Sequence, residues 1–258
     1  MINADTLSKL RSFHVPGFIA ALIEQRESQA YRDLSFEERL SLLIEAEFTR
    51  RTSDRITRKL KAAELLTQAT IDQVDFSVAR GLSRTKFLEL AAGDWLQRAH
   101  HLVLTGPTGS GKTFIASAVA TNVCRKSMSV KYIRAHDLLA DILMARSQGT
   151  YHKLKIQLAK LHLLVIDEWL REPLVPSHAR EFLDLFDDRY RKASCLIISQ
   201  LPVADWHSQI QDPTLADAIL DRIVHDSLRV ELTGESMRKR TSLLAPDQKE
   251  PSLRSACS

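Results

Sequence analysis

The run Gly106-Pro107-Thr108-Gly109-Ser110-Gly111-Lys112-Thr113 constrains this chain more than any other. It fits G-x-x-x-x-G-K-[ST], the pattern of a loop that cradles phosphate between a strand and a helix. Residues 101–105 (HLVLT) read as a short buried strand and residues 111–126 as a helix, so the context agrees with the pattern. Three of the chain's eight glycines fall in these eight positions. Glycine there lets the backbone close on a phosphate and take φ above zero. Lys112 is expected to reach the β- and γ-oxygens of ATP, and Thr113 to offer its hydroxyl to Mg²⁺. The simpler reading, a strand-to-helix turn with no ligand, explains neither the lysine nor the hydroxyl.

From residue 100 onward short apolar runs alternate with longer helical stretches. The expected strands are 101–105, 129–133, 162–166, 194–199 and 228–232, with helices at 111–126, 137–146, 150–160 and 177–191. Such alternation predicts an α/β fold with a five-stranded parallel sheet flanked by helices. Leu163 to Ile166 is apolar on both faces, as a strand covered on both sides must be. It runs into Asp167-Glu168. After a phosphate loop, Asp167 suits Mg²⁺ and Glu168 suits polarising an attacking water, whereas an acidic surface turn is the plain alternative. A small-metabolite kinase needs no water-activating carboxylate, so the second acid favours ATP hydrolysis.

The first seventy residues read differently. Ser35 with Glu38 makes a capping box, and Leu40, Leu43, Ile44 and Phe48 continue it as a helix over 36–66. Ile19, Leu22 and Ile23 give a shorter amphipathic helix after Pro16-Gly17. Thr70 to Gly93 is less periodic, with Gly81 and Gly93 as breakers, and reads as a linker.

Charge is distributed unevenly along this region. The chain carries 36 Lys and Arg against 32 Asp and Glu, net +4. Arg50, Arg51, Arg55, Arg58, Lys59 and Lys61 face Asp54 alone within residues 50–61, whereas residues 1–49 are net acidic. Arg51, Arg55, Arg58 and Lys59 follow helical spacing, and such a stripe tracks DNA phosphates; a solvated helix face is the alternative. Lys153, Lys155 and Lys160 form a second, weaker candidate. No helix-turn-helix, zinc finger or RNA-binding aromatic motif is evident, so DNA contact should be to the backbone and tolerant of sequence. Trp95, Trp169 and Trp206 are expected in the core.

Apolar runs fall far short of the roughly 20 residues that span a bilayer, so no membrane role is expected. Residues 1–5 lack a basic stretch leading into an apolar one, and a cytoplasmic protein is expected. Cys124, Cys195 and Cys257 have no metal-ligand spacing and read as reduced thiols.

The chain resembles AAA+ ATPases of the initiator and helicase-loader group, and more closely the IstB-type ATPases that assist insertion-sequence transposases. The resemblance runs through the basic helix near 50–61, Asp75-Phe76, the phosphate loop, Val165-Ile166-Asp167-Glu168, and Ile198-Ser199-Gln200-Leu201-Pro202. It continues through residues 215–222 (LADAILDR) and 234–239 (GESMRK). It implies an AAA+ P-loop NTPase domain over 71–240, a small all-helical N-terminal domain over 1–70 for DNA or partner binding and assembly, and a polar tail over 241–258. Too few residues follow Arg238 for a full helical lid. By the same resemblance Gln200, with Ser199, is the polar sensor, Arg222 the arginine finger offered to a neighbouring subunit, and Arg238 a second sensor. The implied function is an ATP-dependent transposition helper. It would form a homo-oligomeric ring or filament on double-stranded DNA, present a target site to a partner transposase, and hydrolyse ATP to reset. A replicative helicase loader, a P-loop kinase of a small metabolite and an ATP-gated scaffold without turnover are the rivals.

Overall fold

The computed structural model describes residues 4–76 and 81–233. The N-terminal part is helical, with α1 at Ala4–Ser12, α2 at Pro16–Glu27 and α3 at Phe36–Ala63. The capping box starts α3: Glu38 Oε2 accepts from Ser35 N at 2.7 Å and Ser35 Oγ accepts from Glu38 N at 3.3 Å. The helix stops three residues before its expected end because Glu64 turns left-handed, with φ 50°.

Helix α2 has Pro16 in its first turn and no side-chain cap of its own from Val15. Glu47 of α3 supplies one from a distance, accepting from Gly17 N at 2.7 Å and Phe18 N at 3.2 Å. A Cβ on Gly17 would lie 2.9 Å from that carboxylate and 3.0 Å from Ala46 O, so only glycine lets the two helices approach this closely.

Helices α4 (Arg84–Ala92) and α5 (Asp94–Gln97) lead into a parallel sheet of five strands: β1 His101–Thr105, β2 Val130–Arg134, β3 Leu163–Asp167, β4 Ser194–Ser199 and β5 Ser227–Glu231. Its order is β2-β3-β4-β1-β5. Strands β1 and β4 match their expected bounds, and the other three are displaced by one residue. The shift at β3 matters, because Asp167 becomes the last residue of the strand.

The crossovers are α6 (Lys112–Arg125), α7 (Ala135–Ser147) with α8 (Tyr151–Ala159), α9 (Pro176–Arg189) and α10 (Pro213–Val224). Side chains alternate between two core layers, as the strand period demands. Leu102, Leu104, Leu163, Val165, Leu196 and Ile198 pack on the side of α4 and α6. Val103, Leu164, Ile166, Cys195 and Ile197 face α7, α9 and α10.

The linker reading of Thr70 to Gly93 is corrected. Ala69, Val74, Leu82, Phe87 and Leu90 are all buried in the first core layer, and Ala63 of α3 joins them. Helix α4 is capped at its start by Ser83, whose hydroxyl accepts from Lys86 N at 3.2 Å, and at its end by Gly93 with φ 80°. Gly93 breaks the chain as expected, as the left-handed cap that ends α4 before α5. Nine residues are too few for a periodic pattern to stand out.

The three tryptophans are buried, with Trp169 edge-on to Phe182 at 4.9 Å. Cys124 and Cys195 are buried free thiols, and Cys257 lies outside the described residues. Among the described residues no helix is long and apolar enough to cross a membrane.

Candidate nucleotide site

Strand order brings the C-terminal ends of β3, β4 and β1 side by side. The loop at 106–113, the pair Asp167-Glu168 and the pair Ser199-Gln200 therefore share one end of the sheet, where open parallel sheets bind ligands.

Gly106, Gly109 and Gly111 have φ of 138°, 83° and 92°. At Gly106 a Cβ would lie 2.1 Å from Leu232 O, because the residue after β5 continues alongside the end of β1, Leu232 N donating to Thr105 O at 2.8 Å. Helix α6 starts at Lys112 with no side-chain cap, which leaves its first amides for an anion. Lys112 is buried, and its ammonium donates to Gly106 O at 2.6 Å and Pro107 O at 2.7 Å. Burial lowers its pKa, against the opposing charge of Asp167. The Ser110 hydroxyl is buried without a hydrogen-bond partner. An orphaned donor, a buried cation and free helix amides in one loop fit a polyphosphate.

Asp167 collects three donors. Its Oδ2 accepts from the Thr113 hydroxyl at 2.9 Å and the Tyr132 hydroxyl at 2.5 Å, and its Oδ1 from Glu168 N at 2.7 Å. Tyr132 stands on β2, the strand beside β3, and burial followed by the Asp167 hydrogen bond drives its pKa far above the usual phenol range. Among the described residues no cluster of three or more His, Cys, Asp or Glu could hold a metal. One carboxylate with one hydroxyl is instead the sparse oxygen set Mg²⁺ uses when phosphates and water complete its shell.

Glu168 is left-handed, with φ 57°, and its Oε2 lies 3.0 Å from Arg171 Nη1. The next residue, Trp169, is fixed by its amide to Ile198 O at 2.9 Å and by its carbonyl, which accepts from the Ser199 hydroxyl at 2.8 Å. Ser199 is buried and also accepts from Leu201 N. Its hydroxyl holds this turn and is not free for a nucleotide. Gln200 is the one of the pair that meets the loop, accepting from the Thr108 hydroxyl at 2.7 Å.

Other expected residues lie apart from this cluster. Arg222 on α10 pairs with Asp187 and Asp221, both at 2.6 Å, over the Tyr190 ring at 5.0 Å; the Asp187 bond leads in raising its pKa. Arg238 and the expected polar tail over 241–258 fall outside the described residues, where the expectation of no full lid also lies.

The basic helix is less uniform than its spacing suggests. Glu47, one turn before the stripe, binds Arg50 at 2.8 Å and Arg51 at 2.6 Å, and Arg50 also pairs with Asp54. The Arg50 bond leads in lowering the Glu47 pKa to about 2. Counting charges over residues 50–61 misses Glu47. Arg55, Arg58 and Lys61 stay exposed, and Lys59 is half-buried. In the second basic group Lys155 pairs with Asp188 at 2.8 Å.

Sequence reasoning missed Tyr132 and Arg171. Tyr132 carried a signal, as a hydroxyl on the strand that neighbours β3, but only strand order makes it legible.

Comparison with known proteins gives a consistent picture. Residues 8–245 match the family described as IstB-like ATP binding protein. A protein of Sinorhizobium fredii named as an insertion sequence ATP-binding protein is 39% identical over 93% of this chain and 98% of its own length. A Pseudomonas aeruginosa protein, named as an ATP-binding protein of insertion sequence IS21, is 31% identical over 90% of this chain and 86% of its own. The crystal structure of DnaI is similar in fold, with TM-score 0.57 and 18% identity over 64% of this chain and 92% of that one. The fold is that of an AAA+ P-loop protein.

Proposed function

Since this chain belongs to the IstB-like ATP-binding proteins of insertion sequences, we propose that it is an ATP-hydrolysing transposition helper that assembles on double-stranded DNA. The observation that carries this reading is the meeting of Thr113 and Asp167 at 2.9 Å beside the buried Lys112. Residues 106–113 bind the triphosphate of ATP. Lys112 leaves its two loop carbonyls for the β- and γ-oxygens, and the amides of the first turn of α6 face the same anion. A bound Mg²⁺ would neutralise charge on those oxygens, held by Thr113 and Asp167. Tyr132 keeps Asp167 in place.

Glu168 takes the proton of a water whose oxygen bonds to the γ-phosphorus as the bond to the bridging oxygen breaks, giving ADP and phosphate. Gln200 orients that water or the γ-phosphate, and Arg238 adds a second contact in cis. Arg222, paired on its own α10, is offered to the ATP of an adjoining copy and stabilises the charge of the transition state. Assembly into a homo-oligomeric ring or filament thus follows ATP. Arg55, Arg58 and Lys61, with Lys59 beside them, track the phosphates of duplex DNA, and the assembly presents its target to a cognate transposase.

The experiment is phosphate release by the purified chain with and without duplex DNA. The reading requires Mg²⁺-dependent release that duplex stimulates more than single strands do, and that Glu168→Gln abolishes while ATP binding persists. Release that ignores DNA and needs a small-molecule acceptor would refute it.

A further inference from the structure

Arg222 is tied down without being used up. Its Nε donates to Asp187 Oδ1 and its Nη1 to Asp221 Oδ2, both at 2.6 Å, and its guanidinium lies over the Tyr190 ring, 5.0 Å from the ring centre. A guanidinium carries five N–H groups in one rigid plane, so two bonds and a ring beneath it fix where the others point. Among the described residues Nη2 has no hydrogen-bond partner, and both of its N–H groups stay available.

The two carboxylates do different things. Asp221 stands beside Arg222 on α10 and travels with it, so it cannot set the arginine against the rest of the fold. Asp187 can, because it belongs to the last turn of α9, and that end of α9 is anchored. Phe182 and Phe186 are buried there, and so is Arg189. The Arg189 guanidinium donates to Leu158 O at 2.7 Å, Leu161 O at 3.2 Å and Ser194 O at 2.7 Å, which binds the helix end to α8, to the loop after it and to the start of β4. Tyr190 follows directly on this turn. A free arginine side chain samples many rotamers, and acting on a phosphate of another subunit requires one of them.

We propose that Asp187 is a positioning residue that presets Arg222 from the anchored end of α9, in the pose that leaves Nη2 free for the γ-phosphate of ATP on an adjoining copy. The inference rests on Arg222 being the finger. The side chains of Arg222 and Asp187 are 31% and 49% exposed, so the tie is modest. Its loss should lower turnover about two- to five-fold.

Turnover is measured on the full chain with duplex DNA, Mg²⁺ and saturating ATP. Wild type, Asp187→Ala, Asp187→Asn and Arg222→Ala are each assayed alone and in excess Glu168→Gln chain, which has an inactive site but an intact finger. Alone, Asp187→Ala should fall two- to five-fold below wild type, and Asp187→Asn, which keeps an acceptor oxygen, should lie between them. In the excess, the intact sites of the Asp187 variants face normal fingers, and their turnover should match that of wild type under the same dilution. A side chain that merely supports its own subunit gives no such recovery. Asp187 variants that turn over normally or faster alone, or that stay slow in the excess while Arg222→Ala recovers, overturn the role of Asp187 only. Arg222→Ala that fails to recover where diluted wild type stays active overturns the finger, and this inference with it.

Discussion

Thr113 donates its hydroxyl to Asp167 at 2.9 Å, across 54 positions of sequence. One is the first-turn residue of α6 and the other the last of β3. The contact exists only because β3, β4 and β1 lie in consecutive order, and it is the joint on which the proposed nucleotide chemistry rests.

Tyr132 shares the same Asp167 oxygen, at 2.5 Å. Tyr132→Phe removes one donor from a buried carboxylate, a loss of about 0.5–1.5 kcal/mol. Mg²⁺ titration of fluorescent-nucleotide binding should show an apparent metal affinity weakened by about two- to ten-fold. An unchanged metal affinity would make Tyr132 a packing residue only.

Gly106→Ala should be severe. A Cβ there meets Leu232 O at 2.1 Å, and φ of 138° is closed to alanine. The strained backbone alone costs about 1–3 kcal/mol. Thermal unfolding should report a lower Tm together with lost ATP binding, whereas Gly149→Ala, with open space around it, should cost little beyond the strain of its own positive φ.

Glu47 makes the N-terminal helices sensitive to acid. Its carboxyl titrates near 2 when folded against an ordinary 4.5, because Arg50 and then Arg51 and the amides of Phe18 and Gly17 favour the charged form. The lowered value means that its contribution is complete above pH 4.5 and lost as pH falls toward 2. Helix content followed by circular dichroism should decline over that window in wild type, and Glu47→Gln should already be destabilised at pH 7 and show less of the decline.

Arg50 and Arg51 are paired with Glu47, although Arg51 is itself exposed, as are Arg55, Arg58 and Lys61. Replacing the latter three by alanine should weaken duplex binding evenly across sequences and lower the salt slope by up to about 0.9 per lost phosphate contact. Replacing Arg50 and Arg51 should chiefly destabilise the α2–α3 pair. Equal salt slopes for the two sets would contradict this division.

Much of this was legible in the sequence, for identifiable reasons. The strands β1, β3 and β4 are buried throughout, with apolar residues at their centres, because both faces are covered, and the loop at 106–113 fixes its residue types through its geometry. What stayed hidden depends on neighbours distant in sequence. Tyr132 reaches Asp167 only through strand order, Glu47 takes Arg50 and Arg51 from outside their charge cluster, and Ser199 turns its hydroxyl back to Trp169. The helix at 84–92 was masked by its brevity, lying between the two glycines at 81 and 93.

The central claim is that ATP seated on the loop at 106–113 assembles this chain on duplex DNA. Sedimentation velocity of the full chain with duplex DNA, Mg²⁺ and a non-hydrolysable ATP analogue tests it most directly. The wild type should shift to large complexes that require nucleotide, and Lys112→Ala should remain a small species. A wild type that sediments identically with and without nucleotide, or a Lys112→Ala chain that assembles equally well, would contradict the claim.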